Sequence, residues 1–199
     1  MSAPLWQPTP AQVAASNLAC FSRDLPPEAP RIEGVDDYEA LWHWSVQHPS
    51  DFWQAVWDYC DVLGEPGDTV LLDGERMPGA RFFPGARLNF AENLLRFRDD
   101  RPAIVFRNES GLARELTYAD LYGEVARTAR ALRDLGIRPG DRVAGFMPNV
   151  PETAIAMLAA TSLGAIWSSC SPDFGASGVL DRLGQVAPKV LFTIDSYCY

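Results

Sequence analysis

Residues 116–174 read LTYADLYGEVARTARALRDLGIRPGDRVAGFMPNVPETAIAMLAATSLGAIWSSCSPDF, and their pattern decides the fold. Thr117 is a residue type that caps helices, and Asp120 stands three positions later, where its side chain can bond back to the cap. Gly136 ends the predicted helix, because glycine adopts the left-handed cap conformation without strain. The apolar run at 142–147 then predicts a buried strand. One apolar stripe of the helix is formed by Leu121, Val125, Ala129, Leu132 and Leu135.

A second helix and a second strand follow in the same stretch. Asn149 is expected to cap this helix, with Pro151 in its first turn, where the missing N–H costs nothing. From 154 to 163 the helix is apolar on almost every side, so we expect other elements to cover it. Gly164 ends it, and AIWSS at 165–169 predicts the next strand. Alternating helices and strands predict parallel strands joined by right-handed crossovers.

Composition is that of an ordinary globular chain with one large or two small domains. The 199 residues are 47% hydrophobic and 22% charged, and the net charge of −9 argues against a nucleic-acid partner. The longest apolar run, 154–167, is interrupted by polar residues and is shorter than the roughly 20 residues of a membrane span. No signal peptide is evident at 1–10. We therefore expect a cytoplasmic protein with no membrane partner.

Metal and disulfide chemistry are not expected. His43 and His48 are five positions apart, a spacing that does not place them on one helical face. The cysteines form no C-x-x-C pair, which favours buried free thiols over disulfides or a zinc site. The four cysteines are Cys20, Cys60, Cys170 and Cys198.

Residues 1–63 predict a helical region. Four of the chain's 6 tryptophans lie between Trp42 and Trp57. This aromatic set could be a ligand platform, but rings at helical spacing favour a staple that attaches the helices to a neighbouring layer. Three helices are expected, from the cap Thr9 to about Cys20, from Asp36 or Asp37 to Pro49, and from the cap Ser50 through Tyr59.

Residues 64–102 are rich in proline and glycine and form a connecting segment. The tetrapeptide Pro-Gly-Ala-Arg occurs at 78–81 and again at 84–87. Its two arginines could bind an anion, although turn chemistry alone explains the repeat. A capping box at 89–92 predicts a short helix through Phe97.

Residues 103–199 form the third segment. AIVFR and RELTY predict a hairpin that leads into the helix after Thr117. After the second parallel strand we expect a helix at 176–186 and a third strand, KVLFTI, at 189–194. The predicted fold class is therefore α/β, with an N-terminal helical region followed by a partial, mostly parallel sheet flanked by helices.

No catalytic machinery is evident in the residues themselves. A nucleotide enzyme needs a glycine-rich loop that holds phosphates, and neither that loop nor a Rossmann fingerprint is found. No Gly-x-Ser-x-Gly elbow is present either. Lys189, the only lysine, follows Pro188 at a strand start.

The stretch that decides the fold resembles the N-terminal domain of adenylate-forming acyl-CoA synthetases. The tryptophan-rich helices are similar to the extra N-terminal region of the acetyl-CoA synthetase branch. The segments at 82–95 and 167–192 look more like the branch that uses acetoacetate. The family motifs present are Leu116-Thr117-Tyr118, Gly140-Asp141-Arg142-Val143, Pro148-Asn149-Val150-Pro151-Glu152 and Gly164-Ala165-Ile166.

The resemblance implies a two-step ligase. Acetoacetate would attack the α-phosphate of ATP in the presence of Mg²⁺, and the thiol of coenzyme A would then take the acyl group from the adenylate. The family's phosphate loop, acyl pocket and C-terminal domain fall beyond Tyr199, so we expect an inactive N-terminal portion with no catalytic residue and no metal ligand. Two alternatives stay open: a ligase for acetate or propionate, and a non-catalytic module that binds coenzyme A or a protein.

The loop after the second parallel strand has a functional counterpart in the family. In acetyl-CoA synthetase, the corresponding loop lies beside coenzyme A. The alternative is a strand-to-helix turn in which Asp173 caps the helix. A three-stranded sheet would also leave an apolar face bare, so self-association through that face is expected. The resemblance implies that the passage for coenzyme A is lined by Ser171, Pro172, Asp173, Phe174 and Gly175.

Overall fold

The computed structural model describes residues 4–111 and 113–196. The chain divides into two compact units at the bond between Leu88 and Asn89. We call them the N-terminal unit and the C-terminal unit.

The N-terminal unit is built from short helices around its own core. Its helices are α1 (Pro10–Ala14), α2 (Asn17–Asp24), a 3₁₀ turn (Val35–Asp37), α3 (Tyr38–Gln47) and α4 (Pro49–Tyr59). Its buried core consists of Val13, Ala19, Phe21, Leu25, Ala29, Ile32, Leu41 and Trp44.

Helix starts in this unit confirm some predicted caps and correct others. The Thr9 capping box is present, but the helix ends at Ala14, and Ser16 caps a separate α2 by accepting the N–H of Ala19 at 3.1 Å. The prediction that Ser50 caps the third helix is wrong. His48 is the cap residue, because Pro49 takes the first helical position, where no N–H is needed.

Aromatic contacts agree with the staple interpretation. Trp44 is buried, and the rings of Trp53 and Trp57 contact Phe82 and Phe83 at 5.7 and 4.8 Å between centroids. These contacts attach α4 to the connecting segment.

The connecting segment forms two short antiparallel ladders. Its strands are β1 (Gly64–Glu65), β2 (Leu71–Leu72), β3 (Arg81–Phe82) and β4 (Arg87–Leu88), with β1 paired to β4 and β2 to β3. Each Pro-Gly-Ala-Arg repeat thus ends at the first residue of a strand. Arg81 lies 4.0 Å from the carboxylate of Asp73, which also lies 3.9 Å from Arg76. Anion binding by the two repeat arginines stays a prediction.

The C-terminal unit contains the predicted parallel sheet. The strands β7 (Arg142–Phe146), β8 (Ile166–Cys170) and β9 (Val190–Thr193) are parallel, as expected, and they lie in the order β8–β7–β9. The strands β5 (Pro102–Arg107) and β6 (Ala113–Thr117) form the expected antiparallel hairpin. Its elements are α5 (Phe90–Leu94), β5 (Pro102–Arg107), β6 (Ala113–Thr117), α6 (Tyr118–Asp134), β7 (Arg142–Phe146), α7 (Pro151–Ser162), β8 (Ile166–Cys170), α8 (Ala176–Val186) and β9 (Val190–Thr193).

Helix α6 shows the predicted cap and stripe, with one exception. Thr117 accepts the N–H of Asp120, whose carboxylate accepts from Thr117 in return. Leu135 is 68% exposed, so its place in the stripe is wrong. The helix ends one residue earlier, and Gly136 turns the chain at φ +82° so that Ile137 enters the core instead.

Helix α7 is covered on most sides, as predicted, but Asn149 does not cap it. Val150 is the cap residue and makes no side-chain cap bond, and Pro151 again holds the first helical position. The hydroxyl of Thr153, in the first turn of α7, donates to the carbonyl oxygen of Pro148 at 2.7 Å. This bond links the helix start to the loop that precedes it.

Helix α5 is shorter than predicted, since it ends at Leu94 and not at Phe97. Asn89 caps it by accepting the N–H of Glu92 at 3.1 Å. The amide of the same Asn89 side chain donates to the carbonyl oxygens of Thr161 and Ser162, which ties α5 to the end of α7.

The two faces of the parallel sheet are covered unequally. Because β8 and β9 flank β7 on opposite sides and parallel crossovers are right-handed, α7 and α8 lie on opposite faces. Trp167 and Phe192 pack with α6 and α7 in one core. On the α8 face Leu191 and Ile166 are 48% and 52% exposed. Self-association through this surface stays a prediction.

The exposure of the cysteines differs from the prediction of buried thiols. Cys20 and Cys170 are half-buried, and Cys60, the residue after α4, is exposed. No disulfide joins these three described cysteines, but the prediction that they are buried is wrong. Cys198 lies outside the described residues.

Candidate functional site

A cleft of about 680 Å³ lies at the carboxyl ends of the parallel strands. In open α/β sheets, ligands bind in the crevice at this edge. The cleft is lined by the β5–β6 hairpin (106–109 and Arg114), the β7–α7 loop (148–152), the β8–α8 loop (Ser171 and Asp173) and the segment after β9 (Ile194 and Ser196).

Two of the five predicted site residues line this cleft. The Ser171 hydroxyl donates to the Asp173 carboxylate at 2.7 Å and accepts the N–H of Asp173 at 3.4 Å, which closes the loop on itself. Pro172 lies between them and is half-buried. The alternative in which Asp173 caps α8 is wrong, because Gly175 occupies the cap position and the helix start has no side-chain cap bond.

Phe174 and Gly175, the other two predicted residues, come next in the chain and are not among the residues that line the cleft. Phe174 is exposed, and the guanidinium of Arg182 lies over its ring at 3.8 Å from the centroid. Gly175 has the extended backbone of a cap residue, and a Cβ there would meet no atom within 4 Å. The loop therefore has two parts, one facing the cleft and one packed under an arginine of α8.

The cleft carries charges of both signs that sequence analysis missed. Arg114 of the hairpin forms a close ion pair with Glu152 in the first turn of α7, where the helix dipole favours a carboxylate. Arg107 and Glu109 also line the cleft, together with the predicted site residue Asp173. Among the charged residues that were missed, only Glu152 carried a sequence signal, the family's Pro-x-x-Pro-Glu motif.

The only lysine lies away from this cleft. Lys189 immediately precedes β9 and therefore lies at the amino ends of the strands, with its Nζ 2.6 Å from Oδ1 of Asp141. The Lys189 hydrogen bond, together with the N–H of Arg138, lowers the pKa of the Asp141 carboxyl from its ordinary value. This lysine is placed to fasten strands and not to hold a phosphate.

The described residues contain no cluster of metal-ligating side chains. Within 4–111 and 113–196, no three His, Cys, Asp or Glu side chains lie close enough together to hold a metal ion. His43 lies 3.8 Å from Glu39 of the same helix, and His48, the cap residue of α4, lies 3.8 Å from Asp51 in the first turn of α4.

A second hollow lies in the N-terminal unit. It measures about 360 Å³ and is almost wholly apolar. A pocket without convergent polar groups has little means of orienting a ligand, which weakens the ligand-platform interpretation of the aromatic set. Its walls are Trp53, Val56, Trp57, Val62, Phe82 and Phe83.

Two known protein families match the chain. The family described as AMP-binding enzyme matches residues 90–198, and the family described as Acetyl-coenzyme A synthetase N-terminus matches residues 38–94. The first match alone spans more than half of the chain, so the chain belongs to the family of AMP-binding enzymes. The predicted kinship with adenylate-forming synthetases is confirmed.

Individual relatives make the kinship more specific. The chain is 51% identical to Acetoacetyl-coenzyme A synthetase of Rhizobium meliloti (strain 1021), over 98% of this chain and 30% of the relative. It is 42% identical to Malonamoyl-CoA synthetase vrtB of Penicillium aethiopicum, over 81% of this chain and 24% of the relative. The chain thus spans less than a third of the length of these relatives.

A solved structure supports the fold. Acetoacetyl-CoA Synthetase from Streptomyces lividans superposes with a TM-score of 0.89 at 45% identity, over 100% of this chain and 31% of that one. The partial α/β fold is therefore the fold of the first part of an adenylate-forming enzyme. In the part of the chain that the structure describes, no helix is both long and apolar enough to cross a membrane.

Proposed function

We propose that the chain is the N-terminal part of an ATP-dependent acid–CoA ligase that converts acetoacetate to acetoacetyl-CoA through an acyl-adenylate. The observation that carries this proposal is the 51% identity to Acetoacetyl-coenzyme A synthetase of Rhizobium meliloti (strain 1021) over 98% of this chain. In the reaction, the acid's carboxylate displaces pyrophosphate from ATP, and the coenzyme A thiol then displaces AMP.

The chain's own contribution is the cleft and the loop after β8. We propose that Ser171, Pro172, Asp173, Phe174 and Gly175 line the passage for coenzyme A. The position of Ser171 and Asp173 in the cleft wall supports this assignment. ATP and Mg²⁺ would be held by residues outside this chain, since the described residues offer neither a phosphate loop nor a metal cluster.

Further parts of the proposal concern the whole ligase. Its partners are the small molecules acetoacetate, ATP and coenzyme A, and its compartment is the cytoplasm. The segments 1–63, 64–102 and 103–199 are proposed as the helical region, the connector and the start of the AMP-binding domain.

The acid substrate is the part of the proposal for which the comparisons offer an alternative. Malonamoyl-CoA synthetase vrtB is 42% identical to this chain, so similarity at that level is shared by a protein named for a different acid. A ligase for acetate or propionate is the nearest alternative, and a non-catalytic module that binds coenzyme A or a protein is the other.

Pyrophosphate release tests these alternatives. The full-length ligase is assayed with acetoacetate, malonamate, acetate and propionate, with and without coenzyme A. We expect the largest kcat/KM with acetoacetate and no pyrophosphate from the 199-residue chain alone. A preference for another acid contradicts the substrate assignment. Adenylate formation by the chain alone contradicts its role as a part of the ligase.

A further inference from the structure

The β5–β6 hairpin is anchored at its base and exposed toward its tip. At the base, the N–H of Tyr118 donates to the carbonyl oxygen of Arg101 at 3.0 Å, and Leu116 is buried in the core. Toward the tip, Val105 is 60% exposed, and none of the described residues in the outer half, 105–111 and 113–115, belongs to the buried core. Core packing therefore fixes the base of the hairpin but not its outer half.

An ion pair joins this outer half to α7. Arg114 contacts Glu152, which lies 38 positions later in the first turn of α7. The dipole of the helix favours a carboxylate at this place, and α7 itself is held by several buried side chains. Both members of the pair line the cleft. The pair thus connects a cleft wall that lacks core contacts to one that has them.

The charges of the cleft argue against Arg114 as a direct anion ligand. Its guanidinium already faces the carboxylate of Glu152. The lining also contains Arg107, Glu109 and Asp173, so that carboxylates outnumber arginines among the lining residues. An anion would meet little net positive charge there. The geometry therefore favours a structural task for the pair within the site.

We propose that Arg114 and Glu152 are positioning residues, whose ion pair holds the outer half of the hairpin against α7 and so fixes the width of the cleft. The proposal rests on the function proposed above, which places coenzyme A in this cleft. A wall that is ordered in advance lowers the ordering cost that binding must overcome. The pair therefore supports thiol binding in the second step without touching the thiol.

The test measures the dependence of the full-length ligase on coenzyme A concentration. The variants are Arg114→Gln, Glu152→Gln, the double variant and the charge-retaining Arg114→Lys. Matched controls are Glu124→Gln and Arg127→Gln, which break a close ion pair of the same residue types within α6, away from the cleft.

We expect KM for coenzyme A to rise about three- to fivefold in each Gln variant of the cleft pair, because a partly exposed ion pair is worth up to about a factor of five in an equilibrium. The kcat should stay within about 1.5-fold. The double variant should match the single variants, since both residues act through one contact. Arg114→Lys should recover part of the loss, and the control variants should keep the parent's KM.

The sign of the Glu152→Gln effect is decisive. Removing a carboxylate near an anionic thiol substrate would lower KM if only charge mattered, whereas loss of the positioned wall raises it. An unchanged or lower KM in Glu152→Gln overturns the proposal, and a rise in Arg114→Gln alone would mean that Arg114 contacts the ligand itself. Rises that multiply in the double variant, or equal rises in the α6 controls, overturn it as well.

These outcomes leave the ligase assignment intact, whereas a parent without coenzyme A-dependent activity overturns both. Trapping of the adenylate by hydroxylamine verifies that each variant is folded. If Arg114→Gln does not fold, Glu152→Gln and Arg114→Lys decide the matter.

Discussion

Lys189 and Asp141 join the starts of two parallel strands, with 2.6 Å between Nζ and Oδ1. Asp141 precedes β7 and is only 15% exposed, and its carboxylate also accepts the N–H of Arg138 at 2.9 Å. The Lys189 N–H donates to the carbonyl oxygen of Arg142 at 2.9 Å, next to this pair. One ion pair and one backbone bond therefore fasten the edge strand β9 where it begins.

This pair predicts a pH dependence of stability. The Lys189 hydrogen bond, more than the Arg138 N–H, lowers the pKa of Asp141 below its ordinary value. A carboxyl whose folded pKa is depressed adds stability above its unfolded pKa, near 4, and that stability is lost as pH falls through the folded pKa. We expect Asp141→Asn to lower the urea midpoint at pH 7 and to flatten its fall below about pH 4.

The control for this prediction is Asp134→Asn, which removes an exposed carboxyl of the same unit. Its urea midpoint should keep the parent's acid dependence. If Asp141→Asn and the parent lose stability in parallel below pH 4, the pair does not contribute as we infer.

The capping box of α6 predicts a second effect. Thr117→Ala removes the acceptor for the Asp120 N–H, which lies at 3.0 Å, and the hydroxyl bonded to the Asp120 carboxylate. Losing such a cap costs about 1 kcal/mol of unfolding free energy. Thr128→Ala is the matched control, since its hydroxyl bonds only to the Glu124 carbonyl within the helix. Chemical denaturation should show a clear loss for Thr117→Ala alone; equal losses would deny the cap its role.

The last two leucines of the predicted α6 stripe should respond differently to truncation. Leu132 is 1% exposed and Leu135 is 68% exposed. Leu132→Ala leaves a cavity and should cost about 2–5 kcal/mol, whereas Leu135→Ala should stay within about 0.5 kcal/mol. Urea unfolding of both variants measures this contrast. A large loss in Leu135→Ala would mean that another surface covers this residue in solution.

Gly145 in the central strand predicts an overpacking effect. A Cβ at this position would lie 2.7 Å from the Trp167 ring, so Gly145→Ala should cost about 1–3 kcal/mol. Trp167→Leu in the same chain should recover part of this loss, because the two sites are coupled. Gly184→Ala in α8 is the control, since a Cβ there meets nothing within 4 Å. Thermal unfolding that ranks Gly145→Ala no lower than Gly184→Ala contradicts the close approach.

Local signals account for most of what was predicted correctly. The caps at Thr9 and Thr117 and the glycine stop at Gly136 depend on residues within a few positions of one another. The wrong caps, Ser50 and Asn149, share one cause. In each case the proline nearby takes the first helical position, and the residue before it becomes the cap whatever its side chain.

The sequence by itself determined where most of the helices and the three parallel strands lie, as well as the family motifs, because hydrophobic period, caps and turns act over short distances along the chain. Only the tertiary structure decided which side chains meet at the carboxyl edge, such as Arg114 with Glu152, and which arginine covers Phe174. Arg114 and Glu152 are 38 positions apart, on the hairpin and on α7, so no local signal records their contact. Phe174 and Arg182 are close in sequence, but only the geometry of the turn into α8 places the guanidinium over the ring.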